Sequence, residues 1–160
     1  MSAATPAVTA LGADAAQAAV TAAAKALGLP TVREEAARYA TAAAKARLTH
    51  LAFLAEVLSA ECDDREHRRR QRRINEAKFP RHKRLSDFDP ARLPDLPAAT
   101  LAHLGGGAWI EAGQPLVLLG DSGTGKTHLL IALGMAAAEQ GHRVRYITTA
   151  ALVNELTEAA

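Results

Sequence analysis

The chain has 160 residues, a single cysteine and a net charge of +2, and 49% of its residues are apolar while only 4% are aromatic. One cysteine excludes an intrachain disulfide and suits a reducing, cytoplasmic setting. No apolar run approaches the roughly 20 residues that span a bilayer, and the N-terminus lacks the basic-then-apolar pattern of a secretory signal, so no membrane association is expected.

Residues 1–10 read as a disordered, low-complexity lead-in. From Leu11 to Leu27 the chain is Ala-rich and helix-prone, with Val20, Ala23, Ala24 and Leu27 as a weak apolar stripe. Gly28 and Pro30 stop that helix. Thr31-Val32-Arg33-Glu34 has the spacing of a capping box, predicting a second helix from Thr31 to about Arg47. Thr49 caps a third, longer helix. Its Leu51, Phe53, Leu54, Val57 and Leu58 fall at helical spacing and are expected to pack on the preceding helix as a hairpin.

Beyond Cys62 the same helix changes character. Residues 65–84 hold ten Lys or Arg against two Glu, a local charge of +8 that leaves −6 for the rest of the chain. The basic side chains are Arg65, Arg68, Arg69, Arg70, Arg72, Arg73, Lys78, Arg81, Lys83 and Arg84. A solvated face is one reading of such a run. Self-repulsion among charges of one sign favours the other, a polyanion partner whose phosphates neutralise it. Aromatic residues to stack on bases are missing from the helical part, so contact with the backbone of duplex DNA is expected, without sequence preference.

Pro90, Pro94 and Pro97 make residues 80–97 a linker. Phe88 there either packs near a bound base or anchors the linker on the core. A short helix from Pro97 to His103-Leu104 follows, then Gly105-Gly106-Gly107 and Trp109, read as core or edge packing. Pro115-Leu116-Val117-Leu118-Leu119 reads as a buried strand that runs straight into Gly120-Asp121-Ser122-Gly123-Thr124-Gly125-Lys126-Thr127, a match to the phosphate-binding loop G-x-x-x-x-G-K-[ST] at every fixed position.

Each residue type in that loop has a physical task. Glycines let successive N–H groups turn inward as a nest for a polyphosphate. The helix that starts near Lys126 adds its positive end. Lys126 reaches the β- and γ-phosphates and the Thr127 hydroxyl ligates Mg²⁺. The nucleotide-binding set is Gly120, Asp121, Ser122, Gly123, Thr124, Gly125, Lys126, Thr127 and the adjoining His128, with Thr127 as the metal ligand and ATP and Mg²⁺ as cofactors. The alternative is a Gly-rich turn that binds nothing. The loop alone does not fix the reaction, since kinases, GTPases, motors and loaders share it.

The helix after the loop stops at Gly141. Val144-Arg145-Tyr146-Ile147 reads as a second strand, and Thr148 or Thr149 caps a final helix through Leu156. Strand, loop, helix, strand, helix is the opening of a parallel α/β sheet. The expected fold class is thus α/β: an N-terminal helical region over 11–79, the linker, and the start of a P-loop NTPase core over 98–160. The six histidines, at positions 50, 67, 82, 103, 128 and 142, show no metal-ligand spacing with Cys62 or each other. No Ser-His-Asp or Cys-His arrangement offers a catalytic residue.

Leu29–Ala36, Leu48–Ala55, Glu61–Arg70, Ala77–Pro80, Trp109-Ile110 and Leu116–Leu130 together resemble the IstB-like ATP-binding proteins, helper ATPases of insertion-sequence transposases and relatives of the DnaC helicase loaders within the AAA+ class. The resemblance covers roughly residues 28–158. It implies that Gly120 through Thr127 form a Walker A site and that Arg65 to Arg84 form a DNA or assembly surface. It also implies duplex DNA, a transposase and further copies of the chain as partners. The family pattern continues past residue 160, so its Walker B strand, sensors and arginine finger find no match here, and little hydrolysis is expected of these residues alone. Three rival readings stay open: a helicase loader, a small-molecule kinase on the same loop, and a DNA-binding helical module with a vestigial nucleotide loop.

Overall fold

Alanine-rich sequence with few β-branched residues favours helix, and helix is what the first half forms. The computed structural model describes residues 12–89 and 96–159. Backbone proximity divides the chain into two units, Met1–His67 and Arg68–Ala160. The lead-in expected over 1–10, Leu11, and linker residues 90–95 lie outside the described residues.

In the first unit, α1 (Ala13–Leu27) ends at Gly28, whose left-handed backbone returns its N–H to Ala24 and Lys25 carbonyls. Helix α2 (Pro30–Ala46) packs against α1, with Ala24, Ala36 and Ala43 buried. The capping box expected of Thr31 and Glu34 does not form. Pro30 at the first helical position starts α2 one residue earlier, so Thr31 already lies in the first turn. Its N–H donates instead to Glu61 Oε2 at 2.8 Å, as does that of Val32 at 3.2 Å. The Thr31 hydroxyl donates to Asp64 Oδ2 at 3.0 Å. Glu34 turns to Arg33 at 2.6 Å.

Glu61 is 2% exposed and comes from α3 (His50–Glu76), the long helix expected after Thr49. Thr49 Oγ1 accepts the Ala52 N–H at 3.2 Å. Arg65 Nη2 donates to Gly28 O at 2.7 Å and to Glu61 Oε1 at 3.4 Å, so the buried carboxylate has both its N–H partners and a counter-charge. The leucine face of α3 is a second departure from expectation. Val57 is buried, but Leu51, Leu54 and Leu58 remain 76%, 49% and 44% exposed. Helix α2 is rich in alanine, which offers these leucines little apolar area.

The second unit is built on α6 (Lys126–Glu139), which is apolar nearly all round and therefore central. Ile131, Met135 and Ala138 form one cluster with Ile74 of α3, joined by Phe79, Val144 and Tyr146. Leu129 and Leu133 form the other with Phe88, joined by residues including Leu85, Leu101 and Leu104. Helix α4 (Ala98–Gly105) and a 3-10 turn over Leu85–Asp87 lie against α6. Trp109 of the short α5 (Ala108–Glu111) donates its indole N–H to Leu104 O at 2.9 Å, a packing role. Gly134 explains itself by proximity: a Cβ there would stand 2.9 Å from the Phe79 ring. Helix α7 (Thr149–Glu158) has Thr148 as its cap, accepting the Ala151 N–H at 3.3 Å.

The two expected strands do not appear. Among the described residues none is a strand, and 115–119 and 143–147 run without helix or ladder. Both segments border one cavity of about 390 Å³ lined by residues such as Leu116, Leu130, Val144 and Tyr146. The second segment takes a different partner, Tyr146 N–H donating to Ala77 O at 2.8 Å at the end of α3. Val117 and Leu119 stand 71% and 89% exposed. The sheet of the α/β expectation is thus not formed among these residues, though the loop and helix order is.

Candidate nucleotide site

The loop from Gly120 to Gly125 enters α6 directly. Gly120, Gly123 and Gly125 have φ of 147°, 83° and 91°, a region closed to most L side chains. Glycine is therefore required at three points within six residues, and the chain turns tightly onto the first turn of a 14-residue helix whose opening N–H groups lack intrahelical acceptors. Lys126 Nζ folds back over the loop, donating to Asp121 O and to Thr124 Oγ1, the latter at 3.4 Å. Thr124 Oγ1 in turn donates to Asp121 O at 2.9 Å. The ammonium is thus held at the mouth of the loop. The Thr127 side chain, one residue on, is exposed.

Phe88 settles beneath this loop. It is 7% exposed, packs with Leu129 and Leu133, and lies 3.8 Å from where a Gly125 Cβ would sit. Of the two sequence readings of Phe88, the anchoring one fits. His128 meets Phe88 edge-on and its Nε2 is buried, so the imidazole packs with the ring that lies next to Gly125.

A loop of left-handed glycines, a lysine over it and a hydroxyl at the start of a helix fits a nucleotide triphosphate and its Mg²⁺: N–H groups and the ammonium for the phosphates, Thr127 for the metal. Among the described residues no three His, Cys, Asp or Glu side chains cluster as a metal site of their own.

The basic residues divide by what they touch. Arg65 serves the α2 cap, and Arg73 Nε donates to Ala138 O at 3.0 Å at the end of α6. Arg72 Nε lies 3.6 Å from Glu76 Oε1. Arg68, Arg69 and Arg70 are exposed on α3, as are Lys78, Arg81 and Arg84 after it, and Lys83 is half-buried. Sequence reasoning passed over Arg143 and Arg145. The signal was their i, i+2 spacing in the segment expected as a strand, which would direct both to one side.

A family model described as IstB-like ATP binding protein matches residues 22–160. A protein named as an ATP-binding protein of insertion sequence IS21 in Pseudomonas aeruginosa is 37% identical over 117 residues, 73% of this chain and 44% of its own length. One from an insertion sequence of Mycobacterium tuberculosis is 38% identical over 109 residues, covering 68% of this chain and 43% of the relative. One of insertion sequence IS5376 in Geobacillus stearothermophilus is 32% identical over 133 residues, covering 83% and 53% respectively. The chain thus spans about half the length of these relatives. No helix among the described residues is long and apolar enough to cross a membrane.

Proposed function

Because the chain belongs to the IstB-like ATP-binding proteins, we propose that it is an ATP-binding helper of insertion-sequence transposition which grips ATP-Mg²⁺ through Gly120–Thr127 and duplex DNA through the basic stretch of α3. The observation that carries this reading is the loop itself, with three left-handed glycines and Lys126 held over them at the start of α6. Loop N–H groups and Lys126 bind and orient the phosphates, and Thr127 holds the metal, which neutralises phosphate charge when bound. Phe88, paired edge-on with His128 and next to Gly125, gives the loop its support.

The DNA half of the proposal is supported by the exposed guanidiniums of Arg68, Arg69 and Arg70 on one stretch of helix. Relatives whose names place them in insertion sequences favour a transposase as protein partner over a replicative helicase. In this reading copies of the chain assemble along the duplex beside that transposase. A fluorescent ATP analogue tests the nucleotide half: it should bind saturably with Mg²⁺ and be displaced by ATP, and analogue that unlabelled ATP cannot displace would refute it.

A further inference from the structure

A second concave site lies away from the nucleotide loop. It is a pocket of about 220 Å³ lined by Arg73, Glu76, Arg143, Val144 and Arg145. Its geometry follows from the chain. Segment 143–147 is fastened to the end of α3 by the Tyr146 N–H on Ala77 O, and Val144 and Tyr146 pack into the cluster around Ile74. Arg143 and Arg145, on either side of Val144, line the pocket together with Arg73 of α3.

Two of the three guanidiniums are oriented by bonds of their own. Arg73 Nε donates to Ala138 O at 3.0 Å, and Arg145 is paired with Glu155 of α7. Arg143 and Arg145 are exposed. The pocket's carboxylate, Glu76, lies 3.6 Å from Arg72. Counted with the residues they pair with, Arg72, Arg73, Arg143 and Arg145 stand against Glu76 and Glu155, an excess of two positive charges around the pocket. Like charges gathered in one small hollow repel unless an anion sits among them, and oriented guanidiniums match the oxygens of a phosphate. The lining has no aromatic ring on which a base could stack, so the pocket suits a phosphate of a nucleic-acid backbone better than a free nucleotide.

We infer that Arg73, Arg143 and Arg145 seat a backbone phosphate of duplex DNA, carrying the basic surface of α3 onto the segment that follows α6. This rests on the reading of α3 as the DNA-contacting stretch. Arg143 is the residue to test, because Arg73 and Arg145 also hold the fold. Binding of a labelled duplex by the whole chain is measured by fluorescence anisotropy between about 50 and about 200 mM salt, with circular dichroism verifying each variant's fold. Arg143→Ala should lower the slope of log affinity on log salt by about 0.9, so that affinity falls about threefold less across that range. Arg143→Lys, which keeps the charge, should preserve the slope. Weaker binding by Arg143→Ala with an unchanged slope would overturn the inference, since the interaction would not be ionic. If Arg68, Arg69 and Arg72 reversed together to Glu weaken binding while Arg143→Ala changes nothing, the pocket is no phosphate seat but the α3 reading stands. If the unaltered chain does not hold the duplex at low salt, both fall.

Discussion

The imidazole of His128 meets the ring of Phe88 edge to face, with centroids 5.7 Å apart and planes at 89°. An edge-on aromatic pair of this kind adds about 1 kcal/mol beyond its buried area. It ties the linker residue Phe88 to the first turn of α6, two residues past the lysine that reaches over the loop. Among the described residues His128 Nε2 is buried without a protein hydrogen-bond partner.

Phe88→Ala should therefore destabilise the chain by about 3 kcal/mol and weaken nucleotide binding with it, because the loop loses its floor. Phe88→Leu should recover most of the stability. Urea unfolding paired with nucleotide titration measures both. Full stability in Phe88→Ala would show that the ring is not part of the core.

Glu61 bears on the first unit alone. Its carboxylate takes the N–H groups of Thr31 and Val32 and holds Arg65. Charged acceptors of this sort contribute about 1.5–3 kcal/mol. Glu61→Ala should lose about 2 kcal/mol of stability, read from the denaturant midpoint, and Glu61→Gln less. A loss below about 0.5 kcal/mol, the level of an ordinary surface change, would mean that water caps α2 equally well.

Reversal of Arg68, Arg69 and Arg72 to Glu should weaken duplex binding and flatten its salt dependence, by about 0.9 in slope for each phosphate that is no longer neutralised. Arg65 and Arg73 are left in place because each serves the fold through a carbonyl, Gly28 O and Ala138 O. Equal retention of the duplex by variant and parent at low salt would mark this run as a solvated face.

What could be read from the sequence was local. The loop was legible because its glycines, lysine and threonine act on their immediate neighbours, and the same holds for the stops at Gly28 and Gly141 and the caps at Thr49 and Thr148. The Thr31 cap was misread because the rival acceptor, Glu61, lies 30 residues away and is brought in only by tertiary packing. The strands stand differently: the family to which the chain belongs supports an α/β fold, yet no strand forms among the described residues. The Leu-rich run 115–119 specifies a segment able to pair, but a ladder also needs a neighbour at hydrogen-bonding distance, and sequence near the run does not supply one. Arg143 and Arg145 join Arg73 only through the fold, across 70 residues of chain.

Calorimetric titration of the folded chain with ATP and Mg²⁺, run beside Lys126→Ala, tests the nucleotide loop most directly. The parent should give a saturable heat at one site per chain, and Lys126→Ala, unchanged in its circular dichroism, should give none. Equal heats from the two proteins, or no heat from a correctly folded parent, would contradict the assignment of Gly120–Thr127 as the triphosphate site.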